Sequence, residues 1–169
     1  MKRFGAVVPT LGAVVRSLVL SSLVLCALVA CGSGPMRRVS EPAASIQQLT
    51  VQANGSWSIQ LRLNNYSSVP MRFDSVALGL TVGSESAGTV QGSPAITIGP
   101  ESADVVTLAL TPSSSARLLM ADALGARRSV PYTLNGSVDA APEDGAPRSY
   151  AIERSSALSP VPGLPGVLR

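Results

Sequence analysis

The chain has 169 residues, 46% of them hydrophobic and 4% aromatic, with a formal charge of +3. Lys2, Arg3 and Arg16 account for that excess, so the ten remaining Arg balance ten Asp and Glu, and no concentrated basic face for nucleic acid is expected. The absence of His excludes imidazole-based triads and most catalytic zinc sites. No metal, cofactor or catalytic residue is expected, and an enzyme would have to work with carboxylates alone.

Residues 1–30 read as a secretory signal. Lys2, Arg3 and Arg16 form its basic part, and Leu18 to Val29 form an apolar stretch of twelve residues, short of the ~20 that a membrane-spanning helix needs. The stretch ends in Leu28-Val29-Ala30-Cys31-Gly32. This resembles the bacterial lipobox: an aliphatic residue, a small residue just before the cut, then Cys. The resemblance implies that lipoprotein signal peptidase reads Leu28, Val29 and Ala30. It also implies that the Cys31 sulfur carries a diacylglyceryl group and that Cys31 becomes the mature N-terminus. Cys26 follows the bulky Leu25 and does not fit. Neither Cys is left for a disulfide, so packing alone must hold an exported domain. The implied location is the bacterial cell envelope, anchored in membrane lipid. With Gly32 and not Asp after the Cys, a host with two membranes would place the protein on the outer membrane, facing the periplasm.

Residues 31–44 read as a flexible tether of Gly, Ser, Pro and charge. Within it Arg37-Arg38 form a solvated pair, with contact to anionic headgroups as the alternative.

From Ser45 strand signals dominate. Ile46, Leu49 and Val51 lead to Asn54-Gly55, a favoured two-residue hairpin turn when both positions take positive φ. Trp57, Ile59, Leu61 and Leu63 then alternate with Ser58, Gln60, Arg62 and Asn64, the period of a half-buried strand. Asn64 to Pro70 turns. Met71 and Phe73 alternate in one phase and Val76, Leu78, Leu80 and Val82 in the other, which predicts a β-bulge near Asp74-Ser75. Thr89-Val90, Ala95 to Ile98 and Asp104 to Leu110 give further strands. Pro112 to Ser115 is an N-cap region for a helix over 115–124, with Leu118, Leu119 and Ala123 toward the sheet and Gly125 at C′. Val130, Tyr132, Leu134 and Val138 alternate again, and Tyr150 and Ile152 pair back. Residues 159–169, with Pro160, Pro162 and Pro165, read as an extended Pro-rich tail. The expected fold is all-β: a single β-sandwich of about seven strands over 45–158, with one short helix.

The order of these elements is similar to that of the late embryogenesis abundant type 2 family, the water-stress and hypersensitive-response domain. Leu61-Arg-Leu-Asn-Asn65 resembles that family's strand followed by Asn-Pro-Asn, without the Pro. Met71 to Val82 matches its long bent strand, Ala95 to Gly99 its Gly-ended strand and Val105 to Leu110 its Thr/Val-rich strand. Ser115 to Leu124 matches its helix, and Tyr132-Thr-Leu-Asn-Gly136 its Tyr-x-Leu-x-Gly strand. The resemblance implies a fibronectin-III-like or Ig-like sandwich and a non-enzymatic role in desiccation or other stress, with no catalytic residues to carry over.

Candidate site residues are few. Asn64 and Asn65 are expected to satisfy turn backbone groups. Glu143-Asp144 read as a solvated hairpin loop, because an acid/base pair needs distinct environments. Asp104 and Asp122 read as surface charges. Asn54, Asn65 and Asn135 each begin an Asn-x-Ser triplet and read as turns. Gly83 to Gly88 lacks the Lys and following helix of a phosphate loop. Arg127-Arg128 suit a helix C-terminus, and Trp57 and Tyr132 suit the core, with an apolar groove as the alternative. Two functions are expected in competition. One is a membrane-anchored protective or binding domain that acts on envelope proteins, lipids or an apolar ligand. The other is an accessory subunit of an envelope transport, secretion or assembly complex, docked through its tail or a sheet edge.

Overall fold

The computed structural model describes residues 37–169, and among them are nine strands and one helix. In β2 (Trp57–Asn65) the alternate residues Trp57, Ile59, Leu61 and Leu63 are buried, while Arg62 between them is exposed. β1 (Ala43–Val51) lies antiparallel beside it and starts slightly before the expected boundary at Ser45. Their turn differs from expectation, since Gly55 alone takes a positive φ, 81°. Gly55 N donates to Gln52 O, and Gln52 N donates to Ser56 O. That is a three-residue loop with glycine in the left-handed position. Asn54 serves it through its side chain, whose Oδ1 accepts from Ser56 N.

β3 (Met71–Val82) is one strand with an irregularity between Phe73 and Ser75, where the change of apolar phase places a bulge. β7 (Val130–Pro142) runs along one side of it. β4 (Glu85–Gly92) and β5 (Ile96–Ile98) follow each other along the other side. β4 is longer than Thr89-Val90 because β3 offers it a full row of backbone partners, which overrides the poor strand propensity of its Ser and Gly. With β8 (Arg148–Leu158) the larger sheet has the order β4-β3-β7-β8, with β5 also on β3. The smaller sheet has the order β6-β2-β1-β9, with β6 at Ser102–Leu110 and β9 at Val167–Leu168. The two antiparallel sheets make an all-β sandwich. Its nine strands exceed the expected seven or so chiefly through β9, which lies in the segment expected to be an extended tail. Residues 37–169 form one compact unit, with a continuous apolar core running from Ala44 to Leu168.

α1 (Ser114–Gly125) starts at Ser113, whose hydroxyl accepts from Ala116 N at 3.2 Å. Its buried stripe is Ala116, Met120 and Ala123. Leu118, expected inward, is 73% exposed. The inward stripe carries two alanines, which let the helix lie close on the sandwich, and Leu118 falls on the opposite face. Gly125 is still helical, and Arg127 takes the left-handed C′ position at φ 52°. Arg128 N donates to Ala123 O at 2.8 Å and Arg127 N to Leu124 O at 3.2 Å, the bond pattern of a Schellman motif.

Residues 159–169 were expected to trail away, and they fold back instead. Ser159 and Arg169 exchange backbone hydrogen bonds of 2.6 and 2.9 Å, and Val161 N donates to Val167 O. Gly163 and Gly166, at φ 79° and 75°, make the reversal between prolines. β9 then pairs with β1 through Leu49–Leu168 and Thr50–Val167.

The strand directions sort the loops to two ends. At the entry end, where β1 begins, backbone bonds join Glu101 to Ser67 and Glu143 to Pro70. At the far end lie the 52–56 turn, Gly83, α1 and the C-terminal hairpin, joined by bonds such as Gly83 N to Pro131 O and Val51 N to Gly166 O.

Candidate functional site

Cys31 and its flanking Leu28, Val29 and Ala30 lie outside the described residues. The first described residues are fixed to the entry end. Arg37 pairs with Asp144 at 2.8 Å and Arg38 with Glu101 at 3.0 Å. Arg38 N donates to the Ser68 hydroxyl at 2.8 Å, and Ser40 N to the Ser67 hydroxyl at 3.0 Å. Both arginines are exposed, yet each has an acidic partner, so the second half of the expected tether is bound to the domain. Of the acidic pair Glu143-Asp144, Asp144 serves as that partner.

Beneath this contact lies the most densely bonded side chain among the described residues. Asn65 is fully buried at the end of β2, and its Nδ2 shares two N–H donors among three carbonyl oxygens, Val69 O, Ile98 O and Gly99 O, at 2.9–3.1 Å. Its Oδ1 accepts from Ser67 N at 2.8 Å. Ser67 is equally buried and, through Ser40, ties the incoming chain to the same turn. Asn65 therefore joins three chain segments, which explains why a β2 strand ending in Asn-Asn holds its turn without Pro. Asn64 only accepts from Arg62 on the surface. Sequence flagged both asparagines alike, and Ser67 only as the last residue of an Asn-x-Ser triplet read as a turn.

The remaining flagged residues do not converge. Asp104 is exposed on β6, and Asp122 on α1 pairs with Arg128. Trp57 and Tyr132 are buried in the core and line no groove. The Tyr132 hydroxyl accepts from Ile46 N at 3.2 Å, where the β1–β2 register shifts. Among the described residues no three His, Cys, Asp or Glu side chains form a metal site, and no helix is long and apolar enough to cross a membrane.

Asp139 has a perturbed environment. It faces the β3 bulge, where the Ser75 hydroxyl donates to it at 2.6 Å. That bond, and then one from Ser149, hold its carboxyl below the usual 3.8, against slight desolvation. A depressed folded-state pKa stabilises the fold above the ordinary carboxylate value, and this contribution is lost as pH falls through the folded value. Ser75→Ala is expected to raise the Asp139 titration midpoint, read by carboxyl NMR. An unchanged midpoint would remove the hydroxyl as the cause.

No protein-family model matches the chain, and no curated protein matches it in sequence. Several solved structures are similar in their fold. A protein from Archaeoglobus fulgidus is similar over 73% of this chain and 98% of its own, at 12% identity and TM-score 0.44. The solution structure of an Arabidopsis thaliana protein is similar over 75% of this chain and 82% of its own, at 11% identity and TM-score 0.48.

Proposed function

We propose that the protein is a lipid-anchored envelope lipoprotein. Its sandwich, similar to the late embryogenesis abundant type 2 domain, serves a non-catalytic, stress-related protective or binding role. The observation that carries this reading is the way the chain enters the fold. Arg37 lies six positions after Cys31, a reach of at most about 20 Å, and Arg37 and Arg38 are pinned to one end of the sandwich. Acylation at Cys31 therefore sets that end near the bilayer and turns the far end outward. Glu101 and Asp144 already neutralise the two arginines there, so anchoring rests on the acyl chains, two or more of which suffice. In a host with two membranes the residue after Cys31 directs the protein to the outer membrane, facing the periplasm.

Labelled palmitate is expected to enter the wild-type chain and the membrane fraction to hold it, with both lost in Cys31→Ser. Label retained in that variant would end the anchoring reading. Unchanged survival of a deletion strain after drying or osmotic shock would end the stress reading.

One observation favours the accessory-subunit reading. β8 runs over eleven residues at the edge of the larger sheet and pairs with β7 alone, so it offers a row of backbone groups to an added strand. The C-terminal tail is less available for this, because it is paired with β1. In-cell crosslinking that captures one stoichiometric partner would favour this reading over the protective one.

A further inference from the structure

At the far end a cleft of about 640 Å³ opens between the end of α1 and the C-terminal hairpin. Leu124 and Arg127 form one wall, and the 160–166 loop forms the other. Its size lies in the range of small-molecule sites, about 300–1,000 Å³. The loop wall is built in advance. Three prolines fix its backbone, and internal bonds from Val161 N to Val167 O and from Leu164 N to Val161 O close it. Leu164 stands on the rim, 49% exposed.

Arg127 is the one ionisable group that lines the cleft. Among the described residues its guanidinium has no ion pair or hydrogen bond, whereas Arg128 beside it pairs with Asp122 and Arg117 donates to Pro112 O. Arg127 also holds a left-handed backbone where glycine would sit without strain. An unpaired cation on an apolar wall matches an anion carried on an apolar chain. The loop wall also argues against a peptide. Pro160, Pro162 and Pro165 have no N–H, and Val161 and Leu164 use theirs inside the loop. A peptide backbone would go largely unanswered there, whereas an alkyl chain asks for no hydrogen bonds.

We propose that this cleft binds a single-chain anionic amphiphile, its head on Arg127 and its tail along Leu124, Pro162 and Leu164. The proposal goes beyond the anchoring and stress readings and depends on neither. Its test uses the mature chain from Cys31, carrying Cys31→Ser, which keeps the whole 37–169 unit. Titration calorimetry would compare laurate with dodecyltrimethylammonium, both below their micelle concentrations. Laurate is expected to saturate one site and the cation to bind at least about tenfold more weakly. Arg127→Gly is expected to weaken laurate by about tenfold or more while raising the thermal midpoint, because it relieves the backbone. Arg127→Gln, which removes the charge but keeps a polar side chain on the left-handed backbone, should weaken laurate similarly. Equal binding of the two amphiphiles, no laurate binding, or unchanged affinity in both Arg127 variants would overturn the assignment.

Discussion

Asn65→Ala is expected to cost about 3 kcal/mol or more of folding stability, measured by urea unfolding. The alanine would take from the buried carbonyls of Val69 and Ile98 and from the buried N–H of Ser67 the partner that Asn65 supplies, whereas the less buried Gly99 O still accepts from the Ser102 hydroxyl. Asn65→Asp should be no better. It restores the acceptor for Ser67 N but aims a second oxygen, partly or fully charged, at the same three carbonyls. Asn64→Ala is the control. Its side chain accepts only from exposed Arg62, so a change within about 0.5 kcal/mol is expected. Similar losses at both positions would mean that the clamp is not the source of stability.

Gly136→Ala is expected to be as damaging, for a steric reason. A Cβ at Gly136 would lie 2.2 Å from Ala77 O and 3.0 Å from Leu78 Cα. Both are backbone atoms of β3, which pairs with β7 along nearly its whole length. No side chain can swing aside, so the two central strands must separate locally. A loss of about 3 kcal/mol or more is expected in thermal or urea unfolding. The same substitution at Gly125 meets nothing within 4 Å. There it should stabilise by about 0.5–1 kcal/mol, since alanine loses less freedom in a helix. A mild effect at Gly136 would show that the sheet can widen at that point. The clash also gives a physical reason for Gly at the end of the Tyr132-Thr-Leu-Asn-Gly136 segment.

Legibility in the sequence followed the range of the interaction. β2 was plain, because Trp57, Ile59, Leu61 and Leu63 carry their burial in their spacing. The β3 bulge was plain for the same reason, as a change of phase between Phe73 and Val76. Turns and caps were half-legible. Asn-Gly marked the place of the first hairpin but not its length, and Gly125 drew the helix cap away from Arg127 because a glycine rule cannot foresee an arginine in a left-handed backbone. The C-terminal strand was illegible. Pro and Gly spacing gives no sign that Leu168 will pair with Leu49. The candidate site divided in the same way. Asn65 could be marked as a turn residue from its neighbours. Its bonds to Ile98 and Gly99, and the cleft between Leu124 and the 160–166 loop, join segments far apart in the chain and leave no local trace.

The pairing of β9 with β1 sets an order of events. Among the described residues, β1 is covered along its outer edge only by β9, so the smaller sheet cannot be completed until residues 167–168 are present. Contacts of such sequence separation form slowly, because a long loop must close before they repay it. In this topology the edge closes last, with the arrival of residues 167–168, so a late finish to folding is built into the strand order itself.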